Sequence, residues 1–474
     1  MIRVLSVEEM ISAESSIKNL GVTESTLVSR AGNAIAEEIS TRFKGGRILF
    51  VCGKGNNGAD GKVASSILSQ KHGFKVGVTE VNGNLSAFQK EWDIIVDCIF
   101  GTGLNREVTG NALKAINAIN NAKAYKIAVD LPSGLSGNGG VIMGVAVKAD
   151  LTIAIQEYKY GHFFGDGVEY SGELTVKDIG ISVWGDDYST LIGKDDALVC
   201  FPKRRKNTSK GSYGRTCTLG GSKRFCGAPL LASSASLKTG VGYVTLAVPD
   251  CIYNAVASKN PECITYSLKD SDGVVVFDEE NVKGLLGYDS IAVGMGFTVS
   301  EEVYKIVKYL LENYTGNLII DADGLNSLSL YGLEALKTAK CNVLLTPHPK
   351  EFSRMTGLDL KEVLLNPVFY AKKFAKEYSV SVLLKGTTSV VTDGERSFIN
   401  TTGCTGMAKG GSGDVLSGVI AGISAKRNLL ESACAGMYIA GLAGEIAEKK
   451  LNPYSTLPTD QISCLYLAIN EILN

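Results

Sequence analysis

Two glycine-rich segments hold the residue types able to do chemistry in this 474-residue chain. The first, Gly53-Lys-Gly-Asn-Asn-Gly-Ala-Asp-Gly61, directly follows the apolar run Arg47–Cys52. Glycines in such a turn let backbone N–H groups meet an anion at the start of the next helix. The interleaved Asn56, Asn57 and Asp60 add carbonyl and carboxylate ligands to those donors. Asp97 closes a second apolar run, and Asp130 closes a third that leads into Leu-Pro-Ser-Gly134. Ligands of a parallel α/β sheet bind beyond the carboxyl ends of its strands, so these three ends are expected to converge. Asn57, Asp97 and Ser133 offer only oxygens, which suits a hard cation and not zinc.

The second segment is Gly403-Cys-Thr-Gly-Met-Ala-Lys-Gly-Gly-Ser-Gly-Asp-Val-Leu416. Gly410, Gly411 and Gly413 bare backbone N–H groups at a helix start, an anion hole of the kind that takes phosphate. Asp414 falls in that first turn, placed to accept a proton from a substrate hydroxyl; a plain capping charge is the competing reading. Lys409 is a cation beside the hole that either tightens phosphate binding or points to solvent. Around these lie Asp321-Ala-Asp-Gly-Leu-Asn326, Thr346-Pro-His-Pro-Lys-Glu351 and Lys385-Gly-Thr-Thr-Ser389, each after an apolar run. His348 is held between two prolines, and Lys385 with Thr387, Thr388 and Ser389 supplies donors for nucleotide phosphates.

The elements that must position these groups read as α/β throughout. Ser6 and Glu9 form a capping-box pattern before a first helix, and a second helical stretch runs over 26–41. Strand candidates follow at 47–52, 75–79, 93–97, 126–130 and 151–155, separated by helical or turn-like segments. A basic, polar stretch, 194–212, reads as a solvated linker, its Lys203-Arg-Arg-Lys206 run resembling a nuclear-localisation string. The alternation then restarts, with strands expected at 216–219, 243–248, 290–293, 317–321, 342–346, 381–385 and 388–392. Helices are expected at 228–237, 413–425, 430–448 and 459–473. Two α/β domains in series result: an N-terminal Rossmann-like three-layer sandwich over 1–193 and a second domain over 197–474.

Composition agrees. A 45% hydrophobic share can bury large cores, and a net charge of −1 supplies no field for nucleic acid or an anionic membrane. The uncharged stretch 432–444 is too short to span a bilayer, and Met1–Met10 has acidic residues where a signal peptide would be apolar. A cytoplasmic protein is expected. Its 11 cysteines show no CxxC spacing and read as buried reduced thiols, while 3 histidines make a histidine-built zinc site unlikely.

The segments GKGNNGADG, VDCIFGTGLNR, AVDLPSG and ADLTIAIQEYKYGHFFGDG resemble the epimerase domain of the NAD(P)H-hydrate repair enzymes. The resemblance implies a potassium ion on Asn57, Asp97 and Ser133. It places the hydrated nucleotide against Asn56, Asn57, Gly58, Ala59 and Asp60, and against Gly101, Thr102, Gly103, Leu104, Asn105, Arg106 and Glu107. Asp130 completes that set and is the expected proton-transfer residue. Ala59 departs from the usual Gly, and Val28-Ser29 from the usual Met-Glu.

Residues from 197 onward resemble the dehydratase domain of the same enzymes, within the ribokinase-like fold. That implies ADP-dependent dehydration of the S epimer, giving AMP and phosphate, with Mg²⁺ accompanying ADP and Asp414 as the base. Substrate contacts are implied at Ala228, Gly296, His348 and Asp414, and nucleotide contacts at Lys385, Gly386, Thr387, Thr388, Ser389 and Gly413. Gly294-Met-Gly-Phe297 departs from a Gly-Pro-Gly-Leu pattern, and Lys409 from a common Thr. The family implies homo-oligomers acting on NADHX and NADPHX. The alternative is a ribokinase-like small-molecule kinase carrying a non-catalytic scaffold domain.

Overall fold

Short apolar strands alternating with helices build two α/β units, described by a computed structural model over residues 2–82, 85–182 and 188–474. One unit comprises Ile2–Ser189 with Leu364–Asn366, the other Thr190–Val363 with Pro367–Asn474.

The first unit contains β1 (Arg3–Leu5), α1 (Val7–Asn19), α2 (Glu24–Arg42), β2 (Gly46–Cys52), α3 (Asn56–Ser69), β3 (Phe74–Glu80), β4 (Ile94–Cys98) and α4 (Gly110–Asn121). It continues with β5 (Tyr125–Val129), β6 (Leu151–Ile155), β7 (Tyr158–Lys159), α5 (Gly167–Tyr170) and β8 (Glu173–Lys177). The expected capping box opens α1: Glu9 N–H donates to Ser6 Oγ, and Ser6 N–H to Glu9 Oε2. One parallel sheet runs β3-β2-β4-β5-β6-β8, and β1 pairs separately with β7. Side chains alternate across β2, so Ile48 and Phe50 pack under α2 and α3, whereas Leu49 and Val51 pack under α4. Both faces are therefore covered, which makes three layers. The chain reverses direction across the sheet between β2 and β4, and the first glycine-rich turn opens at that switch point.

The second unit takes in β9 (Ser189–Leu191), α6 (Lys194–Leu198), β10 (Arg215–Leu219), α7 (Gly227–Leu237), β11 (Tyr243–Pro249), α8 (Asp250–Ala257) and β12 (Ile264–Leu268). A small hairpin, β13 (Asp270–Ser271) and β14 (Val274–Val275), precedes α9 (Glu279–Lys283), β15 (Ser290–Val293), α10 (Glu301–Asn313) and β16 (Asn317–Ile320). Then come α11 (Asp323–Tyr331), β17 (Asn342–Leu345), α12 (Pro349–Thr356), α13 (Leu360–Leu365), α14 (Pro367–Tyr378), β18 (Ser381–Leu384), β19 (Ser389–Thr392) and β20 (Ser397–Asn400). Three helices follow: α15 (Ser412–Ser424), α16 (Leu429–Lys450) and α17 (Pro458–Leu473). The sheet runs β12-β11-β10-β15-β16-β17-β18-β19-β20-β9, parallel as far as β18 and antiparallel across β18-β19-β20. Its switch point falls between β10 and β15.

Three expectations need correction. The stretch 194–212 is not simply linker: it begins with α6, whose Ala197 is fully buried with nearby Cys200 against α16 and α17, and Arg204 stacks 3.9 Å over Tyr213. An apolar pair inside a basic run had been hidden by its charged neighbours. The uncharged stretch 432–444 lies within α16, which is long and apolar enough to cross a membrane by length and composition, yet is 72% buried over its most apolar window. It is a core helix packed on α15 and α17. Finally, six cysteines are buried as expected, but Cys226 and Cys251 are exposed.

Candidate active sites

In the first unit, the carboxyl ends of β2, β4 and β5 bound a cavity of about 880 Å³, lined among others by Glu14, Asn57, Asp60, Thr102, Asp130 and Lys159. Asn56 and every position from Gly101 to Glu107 also line it. Gly58 and Ala59 do not. Gly58 is structural: a methyl there would meet Gly53 O at 2.1 Å.

Asp130 sits one residue past β5 with φ +68°, a left-handed conformation rare for a residue with a side chain. That turn aims its carboxylate into the cavity. Lys159 Nζ donates to Asp130 Oδ1 at 2.5 Å and to Ile155 O at 2.5 Å, and Thr102 N–H donates to Asp130 Oδ2 at 3.3 Å. The Lys159 side chain is 1% exposed, so its ammonium is held by these partners instead of water. His162, equally buried, bridges the backbones of both residues. Burial and then Lys159 push its pKa down to about 4. Burial, reinforced by Asp130 and Glu14, pushes the Asp60 carboxyl up to about 8. The Glu14 carboxyl is raised too, by burial and then Asp130.

Asp97 and Ser133 are directly linked, while Asn57 stands in the pocket lining. Ser133 Oγ donates to Asp97 Oδ1 at 2.6 Å, Ser133 N–H to Asp97 Oδ2 at 2.8 Å, and Ile99 N–H to Asp97 Oδ1 at 3.1 Å. Burial drives the Asp97 carboxyl up to about 6, against these donors. Asn57 Nδ2 donates to Val129 O, but its buried Oδ1 has no hydrogen-bond partner. An orphaned buried carbonyl oxygen is a ligand of the kind hard cations take.

In the second unit, Gly411 takes φ +106° and starts α15, leaving the first-turn N–H groups of Gly413 and Asp414 without intrahelical partners. Burial, then the nearby Asp321, raises the Asp414 carboxyl to about 7, with Lys385 pulling the other way. Lys385 Nζ donates to Asp321 Oδ1 at 2.8 Å, and Ser417 Oγ to Asp321 Oδ2 at 2.7 Å. Burial would raise the Asp321 carboxyl, but Lys385, with hydrogen bonds from Ser417 and Thr346, holds the group below the usual carboxylate range. Asp321, Lys385, Gly413 and Asp414 thus form one cluster, since a methyl on Gly413 would stand 3.5 Å from Lys385 Nζ and 3.8 Å from Asp321 Oδ2. Gly294 lets β15 approach: a methyl there would meet Asp321 O at 2.0 Å.

Ala228 and Gly296 are brought together beside Phe225, a methyl on Gly296 lying 3.1 Å from Ala228 Cβ. His348 caps α12, its Nδ1 accepting from Lys350 and Glu351 N–H, and its side chain is half-exposed. Burial lowers its pKa. In the Lys385–Ser389 turn, Gly386 and Thr387 are exposed, whereas Thr388 and Ser389 are buried and Ser389 Oγ accepts from Gly386 N–H. Lys409 meets neither expectation. Its Nζ donates to Tyr454 O and Thr456 O, while Glu445 accepts from Gly403 N–H and Glu448 from Gly406 N–H. These three charges fasten the glycine loop to α16 and to the segment after it.

Glu14, Lys159, His162 and Ser417 were missed as site residues. Lys159 had one usable signal: a lysine among aromatics, Tyr-Lys-Tyr, just after an apolar strand end.

Residues 216–466 match the family model described as NAD(P)H-hydrate dehydratase, and 24–92 with 78–161 match the one described as YjeF-related protein N-terminus. Among curated proteins, the bifunctional NAD(P)H-hydrate repair enzyme of Thermofilum pendens is 34% identical, over 91% of this chain and 89% of that protein. Its Archaeoglobus fulgidus counterpart is 32% identical, over 98% of each. Among solved structures, the ADP/ATP-dependent NAD(P)H-hydrate dehydratase of Bacillus subtilis, co-crystallised with ATP/Mg²⁺, superposes with a TM-score of 0.52 at 24% identity, over 60% of this chain and 99% of that one. A ribokinase-like superfamily protein of Enterococcus faecalis gives 0.51 at 23%, over 60% and 96%. These two establish the fold of the second unit as ribokinase-like. With one family model over more than half its length and two-domain relatives above 30% identity along almost all of it, the chain belongs to the bifunctional NAD(P)H-hydrate repair enzymes.

Proposed function

We propose that residues 1–193 interconvert the R and S hydrates of NADH and NADPH, and that residues 197–474 dehydrate the S epimer at the expense of ADP. The observation that carries this reading is Asp414: a carboxyl that burial raises to about 7, in the first turn of a helix with free N–H groups, beside the half-buried Lys385. A base poised near neutrality and an anion-binding turn are what hydroxyl phosphorylation requires.

In the first step, Asp130 transfers the proton at the epimerising centre. Lys159 Nζ holds one carboxylate oxygen, and Thr102 N–H orients the other. A potassium ion fits Asn57, Asp97 and Ser133, on the strength of the orphaned Asn57 Oδ1, and would supply the positive charge the buried Asp97 lacks. In the second step, ADP lies along Lys385–Ser389 with its terminal phosphate at the N–H groups of Gly413 and Asp414. Asp414 takes the hydroxyl proton as the hydroxyl oxygen bonds the β-phosphorus and AMP leaves. The carbon–oxygen bond then breaks, phosphate departs, a ring proton is lost, and the ring double bond reforms. Ala228, Gly296 and His348 hold the hydrate, and Mg²⁺ accompanies ADP. Cytoplasmic residence and assembly with further copies belong to the same reading, on the family resemblance.

The test is the recovery of NADH absorbance from a mixture of both epimers given ADP, Mg²⁺ and potassium. Complete conversion is expected. Arrest once the S epimer is spent would leave the first domain a scaffold. ADP or ATP consumption without NADH would make the protein a small-molecule kinase.

A further inference from the structure

We propose that His162 is a positioning residue for epimerisation, a neutral bridge that holds Asp130 and Lys159 in register. The inference rests on the epimerase reading of the first unit. Lys159 N–H donates to His162 Nδ1 at 3.0 Å, so Nδ1 carries no hydrogen. The ring's one proton is then on Nε2, which stands 2.6 Å from Asp130 O and donates to it. One imidazole thus ties the main chain of the carboxylate to the main chain of the lysine that contacts it, across 29 residues of sequence.

The need for such a tie is visible in the backbone. Asp130 is left-handed, and its other main-chain anchor is its N–H donating to Ile153 O at 2.8 Å. Such conformations persist where surroundings over-determine them. Lys159 in turn is the last residue of the two-residue strand β7, which pairs with β1. Neither end is rigid by virtue of long regular structure, so the bridge sets the separation of the two side chains. Tyr158 and Phe163 stack edge-on against the ring at 6.0 and 6.3 Å and fix its plane. Burial lowers the pKa of His162, which keeps it in the neutral form that both bonds demand. It does not line the cavity, so its action runs through its two partners.

The experiment compares full-length His162→Leu and His162→Gln with wild type. Epimerisation is followed from R hydrate, and Asp414-dependent dehydration from S hydrate serves as the internal control. The leucine variant should lose about 10- to 100-fold in epimerisation kcat, the scale of a misplaced catalytic group, with KM for the hydrate and the dehydration rate unchanged. Glutamine, which returns an N–H near the Nε2 position, should recover most of the loss. Wild-type kcat in the leucine variant, a change in KM alone, or equal losses in both variants would overturn the proposal. Imidazole ¹⁵N shifts of the wild-type protein provide a reading that needs no variant to fold. The Nε2–H tautomer, neutral down to about pH 5, is expected. An Nδ1–H tautomer or a midpoint at the ordinary histidine value overturns the bridge. Should wild type leave R hydrate untouched, the epimerase reading falls, and the tautomer still decides the geometry.

Discussion

Asp414 and Asp60 are both carboxyls displaced upward by burial, yet they make different predictions because the proposed function asks only Asp414 to take a proton. A base works deprotonated, so dehydration should rise with pH through about 7 and level off above it. Asp414→Asn keeps the shape but cannot accept the proton: dehydration should fall about 10²- to 10⁴-fold and lose that pH limb, with ADP affinity retained. A variant that binds ADP and dehydrates normally would reduce Asp414 to a helix cap. Asp60 is instead a stability group. Its carboxyl goes from 3.8 unfolded to about 8 folded, so the folded state holds a proton that the unfolded chain releases. Stability from this group is complete below pH 3.8 and falls as pH rises towards 8. Asp60→Asn should therefore match wild type in urea at acidic pH and unfold at higher urea near pH 8. Equal midpoints at both would show that burial beside Asp130 and Glu14 does not disfavour that charge.

Among elements, α7 and α15 pack closely, and glycine is the reason. A methyl on Gly418 would meet Ala232 O at 2.0 Å, and one on Gly422 would meet Thr239 Oγ1 at 2.2 Å. Gly418→Ala should cost about 1–3 kcal/mol, the range for overpacking, read as a lower urea midpoint, and should slow dehydration because α15 carries Asp414. An unchanged midpoint would mean the helices part without penalty. Elements with local signals were legible in the sequence. The expected strand ends fall within about one residue of those observed, and several, such as β2, β5, β10 and β16, stop where Asp or Gly begins. The glycine turns and all three acidic strand ends were equally readable. What escaped was set by topology. Lys159 and His162 meet Asp130 only because β6 lies beside β5, and no spacing in the chain encodes that neighbour. Strand β20 escaped because Ser-Phe-Ile-Asn has only two apolar residues, and α6 because charged residues surround its buried Ala197.

At the scale of the whole chain, the proposed function puts the two chemistries on separate units with separate carboxylates, so single substitutions should dissect them. Asp130→Asn should abolish conversion of R hydrate and still dehydrate S hydrate, while Asp414→Asn should do the reverse. An equal mixture of the two variants should then consume both epimers, because the freely diffusing hydrate joins the steps. Failure of the mixture alone would mean that the intermediate does not leave the protein. Intact chains are the right material, since Leu364–Asn366 belong to the same compact unit as Ile2–Ser189 and a fragment ending at 193 would lack them. The glycines have one more consequence, for anyone mapping this protein by saturation mutagenesis. Gly58, Gly294 and Gly418 each face main-chain oxygen at about 2 Å from where a side chain would start. All three will score as intolerant as Asp414, although none takes part in a bond that forms or breaks. Survival screens will therefore outline the contacts between strands and helices as sharply as the reactive groups, and only an assay of each half-reaction will separate the two kinds of silence.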